Sequence, residues 1–194
     1  MILSDYTDIQ LLETARNGDE QAFRVLVLRY QQKVATTVIG MLGNCPEADD
    51  VGQETFVRFF RALTTFRGES SVGTYLTKIA MNLSLNELER RKRRRRFALF
   101  SFMAAKDEDT SEQREQQIAN PDNVYEQYDN HEVVQYALAK IDEKLRSVAI
   151  LRLIDGCSTQ ETADILQIPL GTVLSRLSRA QDQLRKILQP ILHP

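Results

Sequence analysis

Asp155-Gly156-Cys157-Ser158-Thr159-Gln160-Glu161-Thr162-Ala163-Asp164-Ile165-Leu166-Gln167-Ile168-Pro169-Leu170-Gly171-Thr172-Val173-Leu174-Ser175-Arg176-Leu177 is the stretch whose reading decides the fold. Gly156 stops one helix, and Ser158 with Glu161 three residues later forms a capping-box pattern that opens a short helix to Leu166. After Gln167-Ile168-Pro169 a longer helix starts near Leu170, with Val173, Leu177, Ala180 and Leu184 recurring at helical spacing as its inner stripe. A short helix with a small residue, Ala163, where two helices cross, then a tight turn and an amphipathic second helix, constitute a helix-turn-helix. The outer side of the second helix carries Gly171, Thr172, Leu174, Ser175, Ser178 and Arg179, with Arg176 on the flank.

The front of the chain is helical as well. Leu11, Leu12 and Ala15 share a face, Gly18 follows as a stop, and Asp19 caps a helix bearing Ala22, Phe23, Leu26, Val27, Tyr30 and Val34. Asp49 or Asp50 opens the next helix, whose Phe56, Phe59, Phe60, Leu63 and Phe66 fall within about 120° and are expected to build the core. Its other face presents Asp50, Gln53, Glu54, Val57, Arg61 and Thr64. A loop with two glycines and two hydroxyls, Gly68-Glu69-Ser70-Ser71-Val72-Gly73, leads into a helix from about Thr74 with the stripe Leu76, Ile79, Ala80 and Leu83. The far side of that helix holds Tyr75, Lys78 and Asn82, an aromatic, a cation and an amide of the kind that hold an unpaired base. Tyr75 is equally compatible with a core position and a wet hydroxyl.

The chain has 194 residues and a net charge of −2, which conceals +3 over residues 1–100, −6 over 101–130 and +1 over 131–194. The first segment ends in seven consecutive cations, Arg90 to Arg96, which repel one another unless phosphate or another anion is near, or serve as a solvated helix end. Residues 104–130 are rich in Asp, Glu, Gln and Asn and read as a linker, with turn chemistry at Asn120-Pro121-Asp122-Asn123. The apolar Phe97-Ala98-Leu99-Phe100-Ser101-Phe102-Met103 is expected to pack into the core of the first domain, the alternative being a docking site for a partner protein clamped between the domains. Two small helical domains joined by a flexible acidic linker, an all-α chain, is the fold expected: 7–96, linker 97–130, and 131–190.

Enzyme chemistry is not indicated. No glycine-rich phosphate loop or GxSxG elbow appears, and His131-Glu132-Val133-Val134-Gln135 has Gln where a zinc protease needs its second histidine. Cys45 and Cys157 lack metal spacing and are expected to be reduced and structural, so no catalytic residue, metal or cofactor is expected. No apolar run of about 18 residues exists, and Met1-Ile2-Leu3-Ser4-Asp5 lacks the pattern of a signal peptide. A cytoplasmic protein without membrane insertion is expected.

The quoted stretch resembles the C-terminal domain of bacterial extracytoplasmic-function (ECF) RNA polymerase sigma factors, in the sigma-70 family. Gly18-Asp19-Glu20-Gln21-Ala22-Phe23, Asp49-Asp50-Val51-Gly52-Gln53-Glu54-Thr55-Phe56, and Phe66-Arg67-Gly68 through Tyr75-Leu76 to Asn82 resemble that family's region 2, in order. The resemblance implies a region 2 that binds the β′ clamp helices of core RNA polymerase and opens the promoter −10 element, and a region 4 that reads the −35 element. It implies polymerase contacts at Asp50, Gln53, Glu54, Val57 and Arg61. It implies −10 contacts at Ser70, Ser71, Val72, Tyr75, Lys78 and Asn82, with Arg90 and Arg91 on phosphate. It implies −35 contacts at Thr172, Leu174, Ser175, Arg176, Ser178 and Arg179. The β flap of the polymerase, promoter DNA and an anti-sigma factor are the further partners it implies.

Three positions depart from the family pattern. Leu174 stands where Lys or Arg is usual and offers only apolar contact to a base edge. Gln167 stands where Gly is frequent, which strains the turn if it demands positive φ. Gly52 replaces a larger apolar residue. The alternative reading is a stand-alone helix-turn-helix regulator that binds duplex DNA without polymerase. A regulator of that kind has no use for a base-capturing loop and usually dimerises on a palindrome.

Overall fold

The computed structural model describes residues 3–104 and 130–192; the expected acidic linker and its Asn120 to Asn123 turn lie outside the described residues. After a single 3-10 turn at Leu3–Asp5, four helices form the front half: α1 (Asp8–Arg16), α2 (Glu20–Leu42), α3 (Pro46–Ala62) and α4 (Val72–Ala104). The rear half comprises α5 (Asn130–Lys140), α6 (Glu143–Ala149), α7 (Thr159–Leu166) and α8 (Leu170–Leu192). Between α6 and α7, Ile150–Ile154 widens into a π turn, with the Asp155 amide bonded to the Ile150 carbonyl at 2.9 Å. Among the described residues no helix is long and apolar enough to cross a membrane.

Local chemistry explains most boundaries. Thr7 caps α1 in a capping box with Gln10, Asp19 caps α2 by accepting from the Gln21 and Ala22 amides, and Gly18 turns between them at φ 94°. α3 begins at Pro46, three residues before the expected Asp49, because proline at the first helical position loses no hydrogen bond there and arrives with a helical φ.

Helix α2 is the hub. Leu26, Val38 and Met41 of α2 bury fully against Leu11 of α1, Phe59 of α3, and Leu76 and Met81 of α4. Each such side chain contributes about 1.5–3 kcal/mol through removal from water. Phe59 and Phe66 stack against the core as expected, but Phe60 is 53% exposed. Phe60 lies about 40° beyond Phe56 on the helix wheel, past the edge of the buried stripe, and keeps an edge contact with Phe23 at 5.0 Å. The expectation that the Phe97 segment joins the core is also overturned: Phe97, Leu99 and Phe100 are 76%, 63% and 73% exposed. The reason is that α4 does not end near the basic run but continues as a 33-residue helix, which carries these residues past the bundle.

The helix-turn-helix has its own small core of Val148, Ala163 and Val173, with Leu166, Ile168 and Leu177 packed around it. Below it the two halves meet. Ile150 and Leu151 are fully buried in the same cluster as the front half. Gly40 of α2 makes this approach feasible, since a Cβ there would lie 2.9 Å from Ile150 Cδ1. Polar ties border the apolar contact: Lys33 Nζ to the Asp155 carbonyl at 2.8 Å, Arg146 Nη1 to the Met41 carbonyl at 2.9 Å, and Lys92 Nζ to Glu143 at 2.6 Å.

Candidate functional site

Three surfaces carry the residues singled out from the sequence. The first is the outer face of α3, where Asp50, Gln53, Val57 and Arg61 are exposed and Glu54 is half-buried. Val57 is 41% exposed, and Phe60 stands one turn on beside Gln53 and Val57. The face is therefore an apolar pair ringed by polar groups, the composition of a protein-binding patch. Sequence periodicity missed Phe60 because it sits on the border between faces. Glu54 is partly engaged by Arg58, at 2.8 Å on the same helix.

The second surface surrounds the loop before α4. Ser70, Thr74, Tyr75 and Lys78 line a cleft of about 580 Å³ together with Phe66, Arg67 and Glu69. Ser71 caps α4: its hydroxyl accepts the Thr74 amide at 3.0 Å. Tyr75 is half-buried, its ring 4.8 Å from that of Phe66 and 6.0 Å from that of Phe59, so the aromatic core fixes it while one edge reaches the cleft. Lys78 and Asn82 follow on the exposed side. Val72 is 3% exposed and belongs to the core instead of the cleft surface.

The opposite wall of this cleft comes from α7. Glu161, Asp164 and Ile165 line it, and the Thr74 hydroxyl donates to Glu161 Oε1 at 2.9 Å. The Ser158 amide and hydroxyl, and then Thr74, hold the Glu161 carboxyl below its usual range. Two carboxylates thus face the loop, an arrangement hostile to phosphate. Behind it, Thr37 Oγ1 lies 3.0 and 3.1 Å from the Asp155 carboxylate oxygens. Burial raises the Asp155 carboxyl to about 6, against the opposing pull of Thr37 and Lys33. Burial also pushes the Cys157 thiol up to about 11, which keeps it protonated and unreactive.

The basic run is divided in its duties. Arg91 turns inward, donating to the Leu42 carbonyl at 3.2 Å and lying 3.2 Å from Glu47 and 3.0 Å from Cys45 Sγ. Arg90 pairs with Glu87 at 2.7 Å but stays exposed, and Arg93 to Arg96 are all exposed.

The third surface is α8. Leu174 (56% exposed), Ser175, Ser178 and Arg179 face outward, with Thr172 and Arg176 half-buried at the flank. Ser158 and Glu161 form the capping box of α7, and Val173 and Ala180 are fully buried beneath α8, so the reading helix is held from below. Gln167 adopts φ 53°, the left-handed conformation that favours glycine. A further feature had no signature in the sequence: an apolar groove of about 130 Å³ lined by Val134, Leu138, Leu153, Ile154, Leu184 and Leu188. It is assembled from α5, the π turn and the end of α8, so no single helical period displays it.

Comparison with known proteins places these surfaces in context. Sigma-70 region 2 matches residues 26–94, and Sigma-70, region 4 matches residues 131–184. The RNA polymerase sigma-H factor of Pseudomonas aeruginosa is 35% identical over 193 residues, covering 98% of both chains. The ECF RNA polymerase sigma-E factor of Escherichia coli is 36% identical over 188 residues, covering 96% of both. Among solved structures, CnrH in complex with the cytosolic domain of CnrY is similar at a TM-score of 0.63 and 26% identity, covering 94% of this chain and 97% of that one.

Proposed function

The chain belongs to the extracytoplasmic-function sigma factors of the sigma-70 family, and from that premise we infer that it binds core RNA polymerase, recognises promoter DNA and opens it to start transcription. It is not an enzyme; its work is selective binding. The stand-alone regulator is disfavoured because region 2 and region 4 occur together, in order, over nearly the full length of two sigma factors. Because polymerase works in the bacterial cytoplasm, that is the compartment proposed.

The observation that carries the assignment of faces is the loop-and-helix cleft at Ser70, Tyr75 and Lys78. Extruding a base from a duplex costs a few kcal/mol, so a cleft that accepts only the extruded base couples recognition to melting. We assign that role to Ser70, Ser71, Tyr75, Lys78 and Asn82, with Val72 supporting from the core and Arg90 on phosphate. Arg91 braces the corner between α2 and α3 in place of contacting DNA. The outer face of α3, with Asp50, Gln53, Glu54, Val57 and Arg61 around the Val57–Phe60 pair, is proposed to seat on the β′ clamp helices. Thr172, Ser175, Arg176, Ser178 and Arg179 are proposed to read the −35 element, Leu174 adding apolar contact only. The groove at Val134, Leu153 and Ile154 suits an apolar helix and is proposed to receive the β flap. An anti-sigma factor is the partner proposed to restrain the protein.

In this arrangement α7 walls the −10 cleft, so promoter engagement requires region 4 to leave region 2. Reconstituted holoenzyme on a promoter template tests the assignment. Asn82→Ala is expected to impair opening, read by permanganate reactivity per bound holoenzyme, without weakening polymerase binding; Val57→Glu is expected to weaken polymerase binding while leaving opening per bound holoenzyme unchanged. Weakened polymerase binding in Asn82→Ala, or reduced opening per bound holoenzyme in Val57→Glu, overturns the division of faces.

A further inference from the structure

We propose that the C-terminal third of α4 is a second binding site for unpaired DNA, in which Phe97 and Phe100 stack on bases while Arg93 and Arg96 hold phosphates. Helix α4 runs to Ala104, ten residues beyond the end of the region 2 match at 94. Lys78, Asn82, Arg93, Arg96, Phe97 and Phe100 fall within about 100° of one another on the helix wheel, at about 100° per residue. The same face therefore continues from the −10 cleft for about 33 Å along one rigid helix, at about 1.5 Å per residue. Glu89 interrupts it, and Lys92 Nζ neutralises that carboxylate at 2.9 Å.

The occupant follows from the chemistry. Phe97 and Phe100 are 76% and 73% exposed, directly after four exposed arginines. Cations alone serve any phosphate, but aromatic faces gain most from bases that are not already stacked on neighbours, which selects single strands over duplex. Continuity with the −10 cleft points to the strand released during opening. Unlike the cleft, this end of α4 is left uncovered by the described residues while the two halves are packed together. The proposal rests on the promoter-opening function given above.

The test uses the full chain with a fluorescein-labelled oligodeoxythymidine, a duplex of equal length and phosphatidylglycerol vesicles, titrated across salt. Wild type is expected to prefer the single strand. The double variant Phe97→Ala, Phe100→Ala should lose about tenfold in single-strand affinity with its salt slope unchanged, since base–aromatic stacking is worth roughly that or more. Arg93→Gln with Arg96→Gln should lower the slope by about 1.4, at about 0.7 per phosphate released on single strands. All four side chains are exposed, so folding is not at issue. Equal affinity for duplex, no effect of the phenylalanine pair, or loss of vesicle binding alone overturns the proposal. If Asn82→Ala blocks opening while the phenylalanine pair has no effect, the second site falls alone. If Asn82→Ala opens promoters normally, the −10 assignment falls instead.

Discussion

Asp155 offers a direct handle on the closed arrangement of the two halves. Its carboxylate is buried against Thr37 and Lys33 of α2, and burial raises its pKa from the ordinary 3.8 to about 6. Separation of the halves returns the group toward water and toward 3.8. The closed form therefore holds the proton more tightly, and closure gains strength as pH falls through about 6 and loses it as pH rises. The full shift corresponds to at most about 3 kcal/mol, at about 1.4 kcal/mol per unit. Between pH 7 and pH 5 about one unit is traversed, so the closed-to-open ratio should rise about tenfold. Cys157 titrates far higher, near 11. The assay is energy transfer between probes at Gln31 on α2 and Gln183 on α8, both exposed. Asp155→Asn, which retains an acceptor for Thr37 without a titrating charge, should hold the halves closed at neutral pH and abolish the pH dependence. A wild-type signal that is flat between pH 7 and pH 5, or an Asn variant that still follows pH, refutes the reasoning.

Gly40→Leu should open the halves at every pH, because even its Cβ would crowd Ile150 Cδ1 at 2.9 Å, and should raise permanganate reactivity per bound holoenzyme if closure limits promoter engagement. Leu174→Arg should strengthen duplex −35 binding and raise its salt dependence by about 0.9, a phosphate contact the leucine lacks; an unchanged slope would remove position 174 from the interface. Gln167→Gly should stabilise region 4 by about 0.5–1 kcal/mol in urea unfolding, through relief of the left-handed φ of 53°.

The parts of the molecule that were legible in sequence are those with local causes. The Ser158–Glu161 capping box, the Asp19 cap and the positive φ at Gly18 and Gly156 each depend on residues within one turn, and each boundary lies where that chemistry puts it. The start of α3 shows two local signals in competition, with Pro46 overriding Asp49. Phe60 and the Phe97 segment depart from expectation for related reasons: Phe60 lies past the edge of the buried stripe and packs one side against Phe23, while Phe97, Leu99 and Phe100 are carried beyond the end of the bundle. The packing of region 4 on region 2 left no trace in any pattern, because Lys33 and Asp155 are 122 residues apart and meet only through the fold. The apolar groove at Val134, Leu153 and Leu184 was hidden likewise, since three separate elements contribute to it.

Association with bacterial core RNA polymerase tests the central claim most directly. Fluorescence titration of the labelled full chain, with the housekeeping sigma factor as competitor, should give saturable nanomolar binding, about −12 kcal/mol, that the competitor displaces. A folded protein free of inhibitor that shows no binding, or binding indifferent to the competitor, contradicts the account.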